Sequence, residues 1–166
     1  MVLSELMPAI DGLTPVQLAS ADVLAGVALS NAAGWNQTAD DWQLFTTQGR
    51  AIGWRTARSE LVASAATLPY AGGMAWISMV LVATAWQHRG LAKRLLQDCV
   101  QQLQADGLLP LLDATPAGEA VYCRMGFRRG FEFQRWATQP GAQASSADRG
   151  PVAGVDLEEA RGEKAL

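Results

Sequence analysis

Gln87-His88-Arg89-Gly90-Leu91-Ala92 is the stretch on which the reading of this chain turns. Met74 to Val82 precedes it and reads as a buried strand, too apolar for simple alternation and so expected to be covered on both faces. Leu91 to Ala105 follows and reads as an amphipathic helix. Leu91, Leu95, Cys99 and Leu103 share one stripe, with Leu96 and Val100 beside it, and Lys93, Arg94, Gln97, Gln101 and Gln104 fall mainly outside it. A strand, a short glycine-containing loop and a helix start make an anion site. The first helical turn leaves N–H groups unpaired, and the helix dipole favours negative charge there. Gly90 has no Cβ, so a phosphate can approach its backbone. The ligand this points to carries a pyrophosphate. Turn geometry alone also explains such a glycine. The loop is not a Walker loop, since no Gly-Lys-Ser/Thr ends it, and it lacks the three-glycine dinucleotide fingerprint.

Upstream, Leu13 to Leu18 reads as a short strand. Ala21 to Ala33 reads as a helix with Ser20 as N-cap and with Leu24, Val27 and Ala28 on one face. After the turn Gly34-Trp35-Asn36-Gln37, Thr38 caps a second helix. Asp40 and Asp41 lie in its first turn, Trp42 and Phe45 form its buried side, and Gly49 is its stop. Arg50 to Thr56 and Leu61 to Leu68 are strands, and Pro69 to Gly73 is the turn leading into Met74. Downstream, Asp106-Gly107 ends the long helix and Leu108 to Asp113 is a short strand. Thr115-Pro116 opens a helix that runs to Met125, with Gly126 as its C-terminal cap. Phe127 to Trp136 is expected as a final strand, with Phe131 and Phe133 on one side. Ala137 to Leu166 lacks hydrophobic periodicity and is expected to be a flexible polar tail. The expected organisation is one folded domain, residues 1–136, followed by a tail, residues 137–166.

Composition narrows the classes. The chain has 166 residues, 49% hydrophobic and 17% charged, which suits one folded domain with a sizeable core. A net charge of −3 and a pI of about 5.1 argue against a nucleic-acid partner. No apolar run is long enough to span a bilayer, so no membrane partner is expected. Met1 to Ile10 has no basic n-region, and a cytoplasmic location follows as the expectation. Cys99 and Cys123 then read as packing thiols. With His88 the one histidine and no Cys/His cluster, no metal site is expected.

These residues resemble the GNAT superfamily of N-acetyltransferases. The family's coenzyme A loop follows Gln/Arg-x-x-Gly-x-Gly/Ala, which Gln87 to Ala92 fits. Val121-Tyr122-Cys123-Arg124-Met125-Gly126-Phe127 is similar to the family's tyrosine helix and the turn that ends it, and the two segments lie at a family-like separation. The resemblance runs from about Leu13 to Trp136. It departs at Thr84, where a proline is common, at His88, where a glycine is frequent, and at Thr115, where an asparagine often sits. The fold it implies is α/β of the α+β type. That fold has a mixed, largely antiparallel central sheet, helices on both faces and a V-shaped split at the cofactor site.

The resemblance also implies a chemistry. Acetyl-coenzyme A is the cosubstrate, its pyrophosphate lying on Gln87, His88, Arg89, Gly90, Leu91 and Ala92. Its pantetheine arm pairs beside Val80, Leu81 and Val82, where a bulge opens a slot. A backbone N–H near Leu81 stabilises the developing oxyanion, and Tyr122 is the general acid for the leaving thiolate. On position alone Tyr122 reads first as an amphipathic tyrosine packed under the sheet, and the resemblance reverses that preference. No residue is singled out as the base. Asp113 lies near the expected cleft and Asp40 and Asp41 on a covering helix, but all three also suit helix caps. His88 reads as a solvated loop residue or a phosphate contact, Arg89 as a phosphate neutraliser or a solvated arginine, and Arg128 and Arg129 as solvent-facing. Trp35, Trp42, Trp54 and Trp76 read first as core residues. The expected reaction is direct acetyl transfer to a primary amine on a small molecule or peptide. The rival readings are an acyl-coenzyme A sensor without turnover and a partner-binding module on the same fold. A homodimer is compatible with the resemblance, a partner subunit replacing the second lobe of longer relatives.

Overall fold

The computed structural model describes Ile10, residues 12–114 and residues 116–130, with backbone alone at 116 and 117. Along the chain run β1 (Thr14–Leu18), a 3-10 turn (Ser20–Asp22), α1 (Val23–Ala32), α2 (Ala39–Thr47), β2 (Arg50–Arg55), β3 (Leu61–Tyr70) and β4 (Met74–Val82). A second 3-10 turn (Thr84–Trp86), α3 (Leu91–Ala105), β5 (Leu109–Leu112) and α4 (Pro116–Arg124) follow. The five strands form one sheet in the order β1-β2-β3-β4-β5, antiparallel except for the parallel pair β4–β5. This is the mixed, largely antiparallel sheet expected from the sequence.

Helices cover both faces of the sheet. On one face, Ile52, Trp54, Ala63, Ala65, Ala75 and Ile77 pack with Leu91, Leu95, Leu96, Cys99 and Leu103 of α3, and Tyr122 and Met125 close its edge. On the other, Ala51, Ala66, Met79 and Leu81 pack with Val23 and Leu29 of α1 and Trp42 of α2. Burying a side chain of this size fully contributes about 1.5–3 kcal/mol each. β5 pairs along its whole length, Leu109 to Leu112, with Met74 to Ile77 of β4, so the later part of β4 has no β5 neighbour.

Several local expectations change. Ser20 does not cap α1. The Ala19 N–H is held by Asp22 Oδ2 at 2.8 Å, Asp22 is the N-cap, and the Ser20 hydroxyl accepts from Gln43 Nε2 at 2.9 Å. The buried side of α1 is Val23, Gly26, Leu29 and Ser30, while Leu24 is 76% exposed. Trp42 causes this rotation. Its indole lies so close to Gly26 that an added Cβ would meet the ring at 2.4 Å, and its Nε1 donates to Ser30 Oγ at 3.0 Å. The Thr38 cap forms as expected, with Asp41 N–H on Thr38 Oγ1 at 3.3 Å and Thr38 N–H on Asp41 Oδ2 at 2.7 Å. Gly49 lies one residue beyond the Gln48 cap of α2, where a Cβ would meet the Thr67 carbonyl at 2.1 Å. β3 runs on through Pro69 and Tyr70, so the hairpin turn is shorter than expected. Cys99 is buried, but Cys123 is exposed and so is not a packing thiol. Phe127 to Gly130 adopt no strand, and the rest of that expected strand, residues 131–136, lies outside the described residues, as does Thr115.

Candidate active site

The site begins at an irregularity in β4. Ser64 lies opposite Leu81 and Ala66 opposite Ser78, so Ala65 alone faces Met79 and Val80. This is a β-bulge, and Met79 takes the left-handed conformation, φ 50°. One extra residue reverses the alternation. Ala75 and Ile77 point to the α3 face before the bulge, and Val80 and Val82 point there after it, leaving Leu81 to the α1/α2 face. The apolar run is therefore used on both faces within one strand. The buried Ser64 hydroxyl donates to the Met79 carbonyl at 2.9 Å.

The loop after β4 is built around backbone groups. The Ala83 N–H donates to the Val62 carbonyl at 2.8 Å and keeps the chain on β3 until the 3-10 turn. Gln87 Nε2 donates to the Val82 carbonyl at 3.2 Å, tying loop to strand end. The Arg89 guanidinium lies 4.6 Å from the centre of the Trp86 ring and donates to the Ala85 carbonyl at 3.4 Å. His88 is exposed with φ 62°, and Gly90 has φ 78°. Gly90 is the N-cap of α3 and makes no side-chain cap bond. Arg94 supplies the first helical donor, to the Gly90 carbonyl at 3.0 Å. The N–H groups of Leu91, Ala92 and Lys93 are left without an intrahelical acceptor. A Cβ built on Gly90 meets nothing within 4 Å, so the space over this helix start is open.

A cleft of about 180 Å³ lies beside this loop, lined by Val80, Ala92, Lys93, Leu96, Tyr122 and Met125 among others. It brings the residue after the bulge, the first turn of α3 and the α4 tyrosine into one place. Tyr122 is half-buried, and burial pushes its hydroxyl above the ordinary tyrosine value of 10.0. Its ring meets Phe127 edge to face at 6.2 Å, and its carbonyl accepts from the N–H groups of Met125 and Phe127, which closes the helix end. Gly126, at φ 94°, makes that turn.

Not every expected residue presents a side chain here. Leu81 and Leu91 are buried in the two cores, so only their backbone is available to a ligand. Asp113 is exposed and accepts from Trp76 Nε1 at 3.1 Å, and Asp41 is occupied in the α2 capping box. Trp42 and Trp54 are fully buried, whereas Trp35 is exposed. Sequence reasoning passed over Lys93, Leu96 and Met125 as cleft residues. Lys93 carried a usable signal, a cation in a helix first turn where the dipole disfavours one. A second hollow of about 160 Å³, lined by Gln48, Arg50, Thr67, Gln102 and Asp106 among others, contains none of the residues selected from the sequence.

A family model described as an acetyltransferase (GNAT) domain matches residues 32–135. The chain belongs to this GNAT acetyltransferase family. The match takes in the bulged strand, the loop, α3 and the tyrosine helix. Solved GNAT-like structures share the fold. An acetyltransferase of Trypanosoma brucei is 17% identical, covering 76% of this chain and 99% of its own, with a TM-score of 0.63. Glucosamine-6-phosphate N-acetyltransferase from Arabidopsis thaliana is 12% identical, covering 75% and 97%, with a TM-score of 0.61. An aminoglycoside acetyltransferase from an uncultured soil metagenomic sample is 16% identical, covering 79% and 100%, with a TM-score of 0.60. No curated protein matches the chain. Among the described residues no helix is long and apolar enough to cross a membrane, and no cluster of three or more His, Cys, Asp or Glu is placed to hold a metal ion.

Proposed function

We propose that this GNAT protein transfers an acetyl group from acetyl-coenzyme A to a primary amine by direct attack, the acceptor being a small molecule. The observation that carries the reading is the cleft itself. One open space is bounded by the uncapped start of α3, the bulged end of β4 and the Tyr122 helix.

The residues fit the cosubstrate. Open space over Gly90, free first-turn donors and the nearby cations Arg89 and Lys93 suit a pyrophosphate on Gln87 to Ala92. Val80 to Val82, beyond the β5 ladder, offer backbone groups to the amides of a pantetheine arm. Bound there, acetyl-coenzyme A supplies a thioester that a neutral amine attacks. The bulge selects the oxyanion donor. The Ala83 N–H points to β3, so ladder alternation turns the Leu81 N–H there too. A trans peptide directs its C=O and N–H oppositely, and the Met79 carbonyl is turned to Ser64 on β3, so the Val80 N–H faces the open edge. On this reading the Val80 N–H, next to Leu81, is the donor that would stabilise the oxyanion.

Tyr122 is the general acid. Like any tyrosine it is protonated at neutral pH, and burial favours that neutral form further, so a proton is available to a departing thiolate. Two of the similar structures are named for amino-sugar acceptors, which supports a small-molecule amine as the acceptor class. Calorimetric titration with acetyl-coenzyme A, followed by an amine screen for thiol release, tests the reading. Binding with release supports it. Binding without release across the screen favours a sensor, and no binding removes the cosubstrate assignment.

A further inference from the structure

We propose that Ser64 is a positioning residue for acyl transfer, its hydroxyl holding the Met79 carbonyl so that the Val80 N–H faces the cleft. The inference rests on the acetyl-transfer reading above and identifies a part that reading does not require.

Ser64 stands in a run of small residues, Val62-Ala63-Ser64-Ala65-Ala66, and is fully buried. A hydroxyl there needs a partner, because an unsatisfied buried polar group costs about 1–3 kcal/mol. Met79 has the complementary need. A non-glycine residue in the left-handed region costs about 1–2 kcal/mol and turns its carbonyl out of the ladder. The 2.9 Å bond from Ser64 Oγ to the Met79 carbonyl satisfies both groups. It also fixes the plane of the Met79–Val80 peptide, and with it the direction of the Val80 N–H.

The alternative to this arrangement is a regular strand. Removing the bulge would shift the β4 register by one residue beyond Ser78 and exchange the faces of Val80, Leu81 and Val82. Val80 would leave the cleft that it shares with Tyr122. The Ser64 hydroxyl has its acceptor only while the bulge exists, so it disfavours the regular strand selectively. Alanine in its place keeps nearly the same packing but removes the bond and leaves the Met79 carbonyl buried without that donor.

The test is a set of variants in the full chain: Ser64→Ala, Ser64→Cys and Ser64→Thr. Loss of one oxyanion donor costs about 100- to 1,000-fold in kcat. A donor that is loosened rather than lost is expected to lower kcat about tenfold in Ser64→Ala, less than that full loss. KM for acetyl-coenzyme A should stay within about twofold, because the Gln87 to Ala92 cradle is untouched. Ser64→Thr, which keeps the hydroxyl, should restore kcat, and the Val80 amide resonance should move in Ser64→Ala and return in Ser64→Thr. A folded Ser64→Ala protein with wild-type kcat and an unmoved Val80 amide would overturn the proposal, as would Ser64→Thr behaving like Ser64→Ala. If Ser64→Ala does not fold, Ser64→Cys decides, having nearly the same shape but a poor donor. A wild-type kcat there also overturns the proposal. Absence of acetyl-coenzyme A binding by the wild type would instead sink the reaction assignment, while the Val80 amide would still report whether the hydroxyl holds the peptide.

Discussion

Replacing Gly90 by alanine separates folding from binding at the helix start. In the free protein the substitution has one cost. A Cβ at this position meets no atom within 4 Å, so there is no clash, but φ is 78°. A left-handed L-residue costs about 1–2 kcal/mol. Melting midpoints move by about 2–8 °C per kcal/mol in domains of this general size, so a loss of several degrees with cooperative unfolding is expected. Binding should suffer more than folding. The open space over Gly90 is where a phosphate would approach the free N–H groups of Leu91 to Lys93, and a methyl group there holds it away. Losing two charge-assisted hydrogen bonds at about 1.5–3 kcal/mol each corresponds to a 100-fold or greater loss of acetyl-coenzyme A affinity. Thermal unfolding gives the first quantity and calorimetric titration the second. A folded Gly90→Ala protein that binds acetyl-coenzyme A within about threefold of wild type would refute the cradle assignment, since threefold is well under 1 kcal/mol.

Three further outcomes follow from the same geometry. Tyr122→Phe should lower kcat by about 100-fold with acetyl-coenzyme A affinity nearly unchanged; equal turnover at neutral and alkaline pH in mutant and wild type would remove Tyr122 as the acid. Burial pushes the Cys99 thiol up to about 12 from 9.0, so the folded state keeps a proton that the unfolded chain loses. Its contribution is present below pH 9 and is lost progressively toward pH 12, about 1.4 kcal/mol per pH unit, and chemical denaturation at two alkaline pH values should show a shallower decline in Cys99→Ala. Lys93→Glu should hold or raise the melting midpoint, because a carboxylate suits a helix first turn, while weakening acetyl-coenzyme A binding by about tenfold. Affinity that survives this charge reversal would exclude Lys93 from the phosphate site.

What the sequence revealed was local. The Thr38 cap of α2 depends on adjacent residues and forms as read, and Asp41 returns the bond to complete a capping box. The strand-loop-helix unit was legible because Gly90 and the helix stripe declare themselves within one turn of each other. The orientation of α1 was not. Leu24 lost its place in the core to Gly26 because an indole from another helix needs a glycine to lie against and a hydroxyl to accept its N–H. No periodicity within α1 reports that. The bulge was foreseen only through the family resemblance, and its locking partner lies fifteen positions away, at Ser64. The residues did hold a hint. β4 is apolar at both parities, which a strand with one reversal of alternation uses fully. Asp98 was equally hidden. It is 5% exposed on α3 with Arg94 Nε 3.6 Å away, and burial pushes its carboxyl above the ordinary range.

Comparing the starts of α2 and α3 makes the case for an anion at α3 better than the loop motif does. α2 satisfies its own N-terminus: Thr38 caps it, Asp41 returns the bond, and Asp40 adds a second carboxylate against the dipole. Caps of this kind are worth about 1 kcal/mol and first-turn carboxylates a further fraction. α3 does none of this. Its N-cap is a glycine in the left-handed region without a side-chain bond, no acidic residue lies in its first turn, and Lys93 stands there instead. The chain that built the first start could have built the second the same way. A helix start that stays uncapped, carries positive charge and opens onto empty space is less stable alone than its neighbour. All three of those deficits are removed by one ligand, a multiply charged anion seated on the free N–H groups. That is a stronger argument for pyrophosphate than Gly90 by itself, because a glycine kept only for turn geometry would not require a cation at Lys93 or the absence of a carboxylate.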